Sequence, residues 1–314
     1  MGLKNYPTLG LQAFLVLVVM FMLPPLLFSK PNGHHFEFLQ NLQGSHKGQK
    51  LDGVGKLKRY LEKFGYLHYN DHSTHANDEE FDDQLESAVK TYQLKYGLNE
   101  TGHLCPRTTE MMMMPRCGVP DIINGTTRMK RHKHGPLSFH TVSHFVLFQG
   151  NRKWPYSINQ AHLIYKFESS VPVIHIRLLR PAIVQAFAKW EYVIPFKFVE
   201  ARRGQVANIT IGFHRRNHGD PVGFDGPGGT LAHAFPPTIG MFHYDADEKW
   251  STNPKPNEMD LETIAIHEIG HVLGLQHSAV PEAIMYGLFS PGEKKRRLHK
   301  DDVLGIRTLY GLHR

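Results

Sequence analysis

Apolar residues recur along this chain in several different rhythms, and the changes of rhythm divide it. Ala13 to Met22 is a continuous apolar run, extended through Leu23-Pro24-Pro25-Leu26-Leu27-Phe28. The run is short for a membrane span, and Pro24-Pro25 stops a helix where a span would continue. Lys4 is the only charge ahead of Lys30. This pattern predicts a cleaved secretory signal over 1–29. Nothing later holds about 18 consecutive apolar residues, so no membrane span is expected. Residues 30 to 50 are polar and expected to be poorly ordered. Leu57, Tyr60, Leu61 and Phe64 then recur at helical spacing and stop at Gly65. Phe81, Leu85, Ala88, Val89, Tyr92 and Gln93 predict a second helix stopping at Gly97, and Met111 to Met114 belong to a short third one starting near Thr108. Asn70 to Glu80 is a polar loop between the first two. The result is a small helical domain over about 50–114.

Residues 122–143 are polar and basic, and Arg128-Met129-Lys130-Arg131 within them is a candidate processing site in an exposed linker. Beyond them the rhythm turns mixed. Ile164 to Phe167, Phe196 to Val199 and Ile209 to Phe213 read as strands. Pro181 to Val193 reads as an amphipathic helix starting near its Pro, with Ile183, Val184, Phe187 and Trp190 on one face. A Gly- and Pro-rich stretch with His and Asp runs from Asn217 to Asp247. Leu261 to Leu275 is a strong helix and Asp301 to Tyr310 a final one. Strands and helices in this order predict an α+β domain over 144–314.

Composition changes that picture in three ways. The chain has 314 residues, 41% hydrophobic and 21% charged, a globular balance with room for about two domains. Its net charge of +7 is spread along the chain rather than gathered in a stripe, so no nucleic-acid partner is expected. The 22 His are unusual and direct attention to metal sites. Two cysteines, Cys105 and Cys117, would by default form one disulfide in a secreted chain. Sequons at Asn99, Asn124 and Asn208 are candidate glycosylation sites.

The strongest chemical signal is His267-Glu268-Ile269-Gly270-His271-Val272-Leu273-Gly274-Leu275-Gln276-His277. On a helix, His267 and His271 share a face and can hold one cation together. Gly274 lets the chain leave the helix, and the turn brings His277 back as a third ligand. Three neutral imidazoles suit zinc and leave a fourth position open, which is a catalytic arrangement. Glu268 stands beside them, placed to act on a water as a base. A His-Glu-x-x-His match is expected by chance in roughly one in fifteen chains this rich in His, and the later Gly and His lower that below roughly one in a thousand.

These eleven residues match the metzincin zinc-protease signature, and Ser278 with Ala283-Ile284-Met285-Tyr286 resembles its matrixin branch, the matrix metalloproteinases. The resemblance implies a twisted, mainly parallel sheet plus three helices, with Met285 packed beneath the metal. Pro115-Arg116-Cys117-Gly118-Val119-Pro120-Asp121 looks like the family's cysteine switch, in which a thiolate takes the open metal position and latency follows. Arg116 and Asp121 would pair, and Cys117 would then not be in a disulfide. The helical domain, through Phe81 to Gly97 and Thr101-Gly102-His103-Leu104, resembles the peptidoglycan-binding-like prodomain of the same family. By the same resemblance His218, Asp220, His233 and His243 form a closed structural zinc site. Asp225, Asp245 and Glu248, with carbonyls near Gly226, Gly228 and Thr230, would hold calcium. Only seven residues separate Phe235 from His243, fewer than in many animal matrixins. That short loop and the apparent lack of a haemopexin-like module resemble the plant members.

The expected protein is a secreted zinc endopeptidase made as a latent zymogen. It comprises a signal over 1–29, a propeptide over 30–143 with the switch at 115–121, and a catalytic domain over 144–314. Leu231 and Ala232 would bind extended protein substrates as an added β-strand, and Thr263 would form the base of the pocket for the side chain after the scissile bond. The matrixin resemblance further implies an extracellular monomer in the matrix or cell-wall space, with an activating protease and tissue inhibitors as candidate partners. The rival readings are a non-catalytic extracellular zinc-binding protein and a cell-wall hydrolase targeted by its helical domain.

Overall fold

The computed structural model describes residues 35–69, 78–123, 145–156 and 161–312. The signal-like run 1–29, the sequon at Asn124 and the basic cluster Arg128 to Arg131 lie outside them. The described residues fall within one unit, Gly33–Arg314.

The N-terminal part is helical, with α1 at Val54–Lys63, α2 at Asp83–Lys95 and α3 at Pro106–Met112. Asp82 caps α2 by accepting from the Leu85 N–H at 2.7 Å, and Pro106 opens α3 at a position where its missing N–H costs nothing. Leu57, Leu61, Phe64, Leu85, Val89 and Tyr92 are buried in one cluster. The expected disorder of residues 30–50 does not hold for residues 35–50. A 3-10 turn at Glu37–Leu42 buries Leu39 and Leu42, and Phe36 beside it joins the same core. Residues three apart eclipse one another in such a turn, so a few apolar anchors suffice within a polar stretch.

The C-terminal part is built on a six-stranded sheet in the order β1-β5-β6-β4-β2-β3. The strands are β1 Arg116–Cys117, β2 His162–Phe167, β3 Lys197–Glu200, β4 Ile209–His214, β5 Thr230–Ala234 and β6 Met241–Asp245. All pairings are parallel except β5 with β6, so β1 and β5 run together and opposite to the other four strands. Two short strands, β7 Trp250–Ser251 and β8 Met259–Asp260, pair separately. Three helices complete this part: α4 Ile176–Glu191, α5 Leu261–Val272 and α6 Lys300–Leu309. The fold is α+β.

Helix α4 begins five residues before Pro181, which therefore sits inside it. His175 caps the helix, its Nδ1 accepting from Arg177 N–H at 3.1 Å. His is not a preferred cap residue, so Pro181 is the more visible but wrong start signal. Val184 is also not on the buried face; it is 45% exposed. Ile183, Phe187 and Trp190 do face the core, and Trp190 Nε1 donates to the Ile266 carbonyl at 2.9 Å, tying α4 to α5. Tyr244 OH donates to the Leu261 carbonyl at 3.0 Å and ties β6 to the start of α5. The metal-motif helix is thus clamped from both sides, and all its residues are buried. Removing the Trp190 ring would cost about 3–5 kcal/mol.

Candidate active site

Helix α5 sets the first two imidazoles. Asp260 caps it, accepting from Thr263 N–H at 3.1 Å, and His267 and His271 follow on one face. The chain then turns at Gly274, whose φ is +108° and whose Cα hydrogens face the Arg152 carbonyl where a Cβ would stand 2.2 Å away. Only Gly fits there. The turn carries His277 back until its ring centroid lies 5.2 Å from that of His267 and 4.8 Å from that of His271.

Donor accounting shows what these rings can hold. His267 Nδ1 lies 2.7 Å from the Ile284 carbonyl, His271 Nδ1 lies 2.7 Å from the Leu275 carbonyl, and His277 Nδ1 lies 2.6 Å from Asp121 Oδ1. All three partners are acceptors, so all three Nδ1 atoms carry the proton and all three Nε2 atoms are bare lone pairs. Yet His267 and His271 Nε2 face each other at 3.0 Å, and His277 Nε2 is buried without a partner. Lone pairs brought together in this way need a cation. Burial and the neighbouring imidazoles push His267 well below its ordinary pKa, which keeps it in the neutral, ligating form.

Glu268 is fully buried, and neither carboxylate oxygen has a hydrogen-bond partner. Burial pushes its pKa up to about 8, with the adjacent Cys117 thiol pulling the other way. A cation on the imidazoles would favour the ionised base.

The segment around Cys117 fills the cleft. Strand β1 pairs in parallel with β5, where Gly118 N–H donates to the Ala232 carbonyl at 2.8 Å. On the other side Cys117 N–H donates to the Gly287 carbonyl at 3.0 Å. A Cβ on Gly118 would stand 2.6 Å from Thr230 Cγ2, so the close approach to β5 requires Gly. Cys117 Sγ lies 3.5 Å from His271 Nε2 and, with the three imidazoles, forms a group whose ligand atoms all lie within 4.8 Å of one another. Burial, then the Glu268 carboxylate, raise the thiol pKa well above its ordinary value. Cys105 and Cys117 are both free.

Comparison with known proteins agrees with this geometry. The matrixin family profile matches residues 153–311, and the peptidoglycan-binding-domain profile matches residues 50–112. Metalloendoproteinase 1 of Glycine max is 39% identical over 319 residues that span all of both chains. The chain belongs to the matrixins. Metalloendoproteinase 2-MMP of Arabidopsis thaliana is 39% identical over 88% of this chain and 75% of its own, and matrilysin of Rattus norvegicus is 37% identical over 82% and 85%. This matrixin is a zinc-dependent metalloendopeptidase, and His267, His271 and His277 fit its zinc.

A second cluster in the matrixin gathers the other expected ligands. Asp220 Oδ2 lies 2.8 Å from His233 Nε2, 2.9 Å from His243 Nδ1 and 2.9 Å from His218 Nε2. His218 Nδ1 lies 2.8 Å from the Arg216 carbonyl, so His218 Nε2 is a bare acceptor facing a carboxylate oxygen. Again a cation resolves the conflict. Against the upward push of burial, His233 holds the Asp220 carboxyl well below its ordinary range. His214, which the motif reading passed over, packs its ring 4.3 Å from His243 and 4.9 Å from His218.

The expected calcium carboxylates do not converge like these two groups. Asp225 accepts from Thr230 N–H at 2.8 Å and from Lys63 Nζ at 3.2 Å. Gly226 N–H donates to Asp245 at 3.2 Å and Gly228 N–H to Glu248 at 2.7 Å. Burial, then neighbouring carboxylates, push Asp245 up to about 6 and Glu248 up to about 8 despite these bonds.

The remaining expected residues fall as follows. Leu231 and Ala232 are buried on β5, under the inserted segment. Met285 is buried, its N–H donating to Asp302 at 3.0 Å. Thr263 is buried too, its hydroxyl donating to Asp260 at 2.6 Å and accepting from Lys295 N–H at 2.9 Å. The cavity beside it, lined also by Met259, Phe289, Glu293 and Lys295, measures about 10 Å³. Asn99 is exposed, whereas Asn208 spends its carboxamide on Ile164 N–H at 2.9 Å and Tyr156 OH at 3.0 Å. Lys63, Lys95 and the Asp121–His277 bond are the contacts that motif reading missed. Nothing local marks them, since each joins groups more than 150 residues apart.

Proposed function

We propose that this matrixin is secreted as a zymogen held latent by Cys117, and that its processed form cuts extended segments of extracellular proteins. The observation that carries the proposal is the meeting of Cys117 Sγ with three imidazoles whose proton-free nitrogens all face inward. His267, His271 and His277 would hold the catalytic zinc, with Cys117 as its latent-state fourth ligand. Zinc held there supplies Lewis acidity toward a carbonyl oxygen and a water.

Glu268 takes the proton of the attacking water on its carboxylate and passes it to the departing amine nitrogen. It stands next to His267 on the same helix and bonds to none of the imidazoles, so its oxygens are left for the water. Once the prosegment leaves β5, the main-chain groups at Leu231 and Ala232 become an edge to which an extended substrate adds as a strand. Met285 supports the imidazoles from below. His218, Asp220, His233 and His243 would hold a structural zinc. Asp225, Asp245 and Glu248, with the carbonyls near Gly226, Gly228 and Thr230, would hold calcium after the Lys63 ammonium has left Asp225.

The boundaries follow: a signal over 1–29, a propeptide over 30–143 cut by an activating protease, and a catalytic domain over 144–314 acting as a monomer outside the cell. Tissue inhibitors would compete for the same strand edge. No described helix is long and apolar enough to cross a membrane. Asn99 is the better placed described sequon, because the Asn208 amide is engaged.

The test is peptide cleavage by the full chain before and after proteolytic processing, with a zinc chelator and with zinc restored. Activity that appears only after processing, disappears with chelator and returns with zinc is expected. Equal activity before and after processing would remove the latent role of Cys117.

A further inference from the structure

The three imidazoles differ in who orients them. His267 and His271 donate their Nδ1 protons to backbone carbonyls at Ile284 and Leu275, both supplied by the catalytic part. His277 donates instead to a carboxylate, Asp121 Oδ1, which lies four residues after Cys117 in the prosegment. Both side chains are fully buried. A carboxylate bonded to a metal-ligating imidazole fixes the ring and makes its free nitrogen a stronger donor. The bond is charge-assisted, as the carbonyl bonds of the other two are not.

Asp121 divides its oxygens between two tasks. Oδ2 accepts from Arg116 Nη2 at 2.7 Å, Tyr66 OH at 2.7 Å and Tyr96 OH at 3.2 Å. Oδ1 faces His277. The guanidinium, the two phenols and the imidazole N–H all donate to it, so both carboxylate oxygens are occupied as acceptors. Helix α2 grips the same residue by its main chain, Lys95 Nζ donating to the His277 carbonyl at 3.2 Å.

We infer that Asp121 is a positioning residue for the third zinc ligand, and that it serves only while the prosegment is in place. This inference rests on His277 being a ligand of the catalytic zinc. The latent chain then holds its metal with two groups that processing removes together: the thiolate of Cys117 on the metal and the carboxylate of Asp121 behind His277. In the processed enzyme the His277 Nδ1 proton loses this acceptor.

The test uses full-length zymogens loaded with cobalt(II), as wild type, Asp121→Asn and Arg116→Gln. The thiolate-to-cobalt charge-transfer band identifies the metal at Cys117, and a competing chelator measures its release. Both variants break the Arg116 pair, but only Asp121→Asn removes the carboxylate behind His277. Asp121→Asn should release this metal about ten- to hundredfold faster than wild type, with Arg116→Gln much nearer wild type. Release from Asp121→Asn at the wild-type rate overturns the inference. Equal acceleration in both variants also overturns it, since Asp121 would then act only by seating the prosegment.

Proton NMR of the wild-type zymogen is a second measurement that needs no variant. It should show a far-downfield, slowly exchanging Nδ1 proton for His277 that vanishes on processing, and its absence sinks the inference. A wild-type zymogen that shows no thiolate band fails the zinc-site reading itself, a result distinct from either variant outcome.

Discussion

Two clusters of imidazoles stand in this matrixin, and they treat their carboxylates in opposite ways. In the His218, Asp220, His233 and His243 cluster the carboxylate points inward and touches all three rings. All four side chains come from one stretch of 26 residues, so the site closes on itself. In the His267, His271 and His277 cluster the carboxylate of Glu268 stands beside the rings without bonding to any of them. There the fourth member of the group is Cys117, 150 residues upstream of His267. On the reading proposed above, the first group fills its own coordination as a structural site, and the second opens when the segment that carries Cys117 is removed. Similar residue types would then serve two chemistries, set by where the fourth donor is anchored.

The sharpest break of this contrast is Glu268→Ala. If Glu268 is a base and not a ligand, turnover by the processed enzyme falls about 10²- to 10⁴-fold while both zinc equivalents stay bound. Steady-state kinetics and metal analysis on one sample check it. Loss of a zinc equivalent would put Glu268 in the ligand role proposed for Asp220 in the other cluster.

Cys117→Ser addresses the borrowed ligand. A hydroxyl is a poor zinc ligand, so the unprocessed chain should cleave peptide without added protease. The Arg116–Asp121 pair and the β1–β5 pairing still hold the segment, so activity should rise only part of the way to that of the processed enzyme. Full latency in this variant would mean that the strand pairing alone blocks the cleft.

Asp220→Ala attacks the closed site. Removing this carboxylate takes one ligand from the group, so the protein should melt at a lower temperature and retain one zinc equivalent in place of two. A melting curve and metal analysis decide. Unchanged stoichiometry would show that Asp220 is only a hydrogen-bond acceptor.

The contrast also explains what could be read along the chain. His267, His271 and His277 were legible because a helix and one Gly turn bring them together within eleven residues. The core face of α4 was legible through Ile183, Phe187 and Trp190, but its start was not, because His175 caps it with an unusual side chain. Phe36, Leu39 and Leu42 were hidden in a polar stretch whose order comes from the core they meet. Strand β6 lay inside a segment whose Gly and Pro content suggested loop, and its pairing with β4 and β5 overrode that propensity. Asp121 was legible as a partner of Arg116, five residues away, but not as the partner of His277, 156 residues away. Long-range contacts of single polar atoms leave no periodic trace.

The smallest expected effect concerns Thr263, which faces neither cluster directly but lies one turn before His267 on α5. A small residue at the base of the pocket for the side chain after the scissile bond should leave that pocket deep. The space beside Thr263 is instead about 10 Å³, room for about one water. The cause is visible in the bonding. The Thr263 hydroxyl accepts from Lys295 N–H and donates to Asp260, which Arg296 also holds with Nε at 2.8 Å. The loop that carries Lys295 and Arg296 is therefore tied down across the pocket base. Thr263→Val keeps the shape but leaves the Lys295 N–H without its acceptor, at a cost of about 1–3 kcal/mol. It should loosen the loop and widen acceptance toward longer side chains. Thr263→Arg should instead fill the base and lower cleavage before Leu, Met and aromatic residues about tenfold or more. A peptide library varied at that position, read with wild type and both variants, checks the pair. If neither substitution changes the preference, Thr263 packs in the core and the pocket base lies elsewhere along the loop from Leu288 to Leu298.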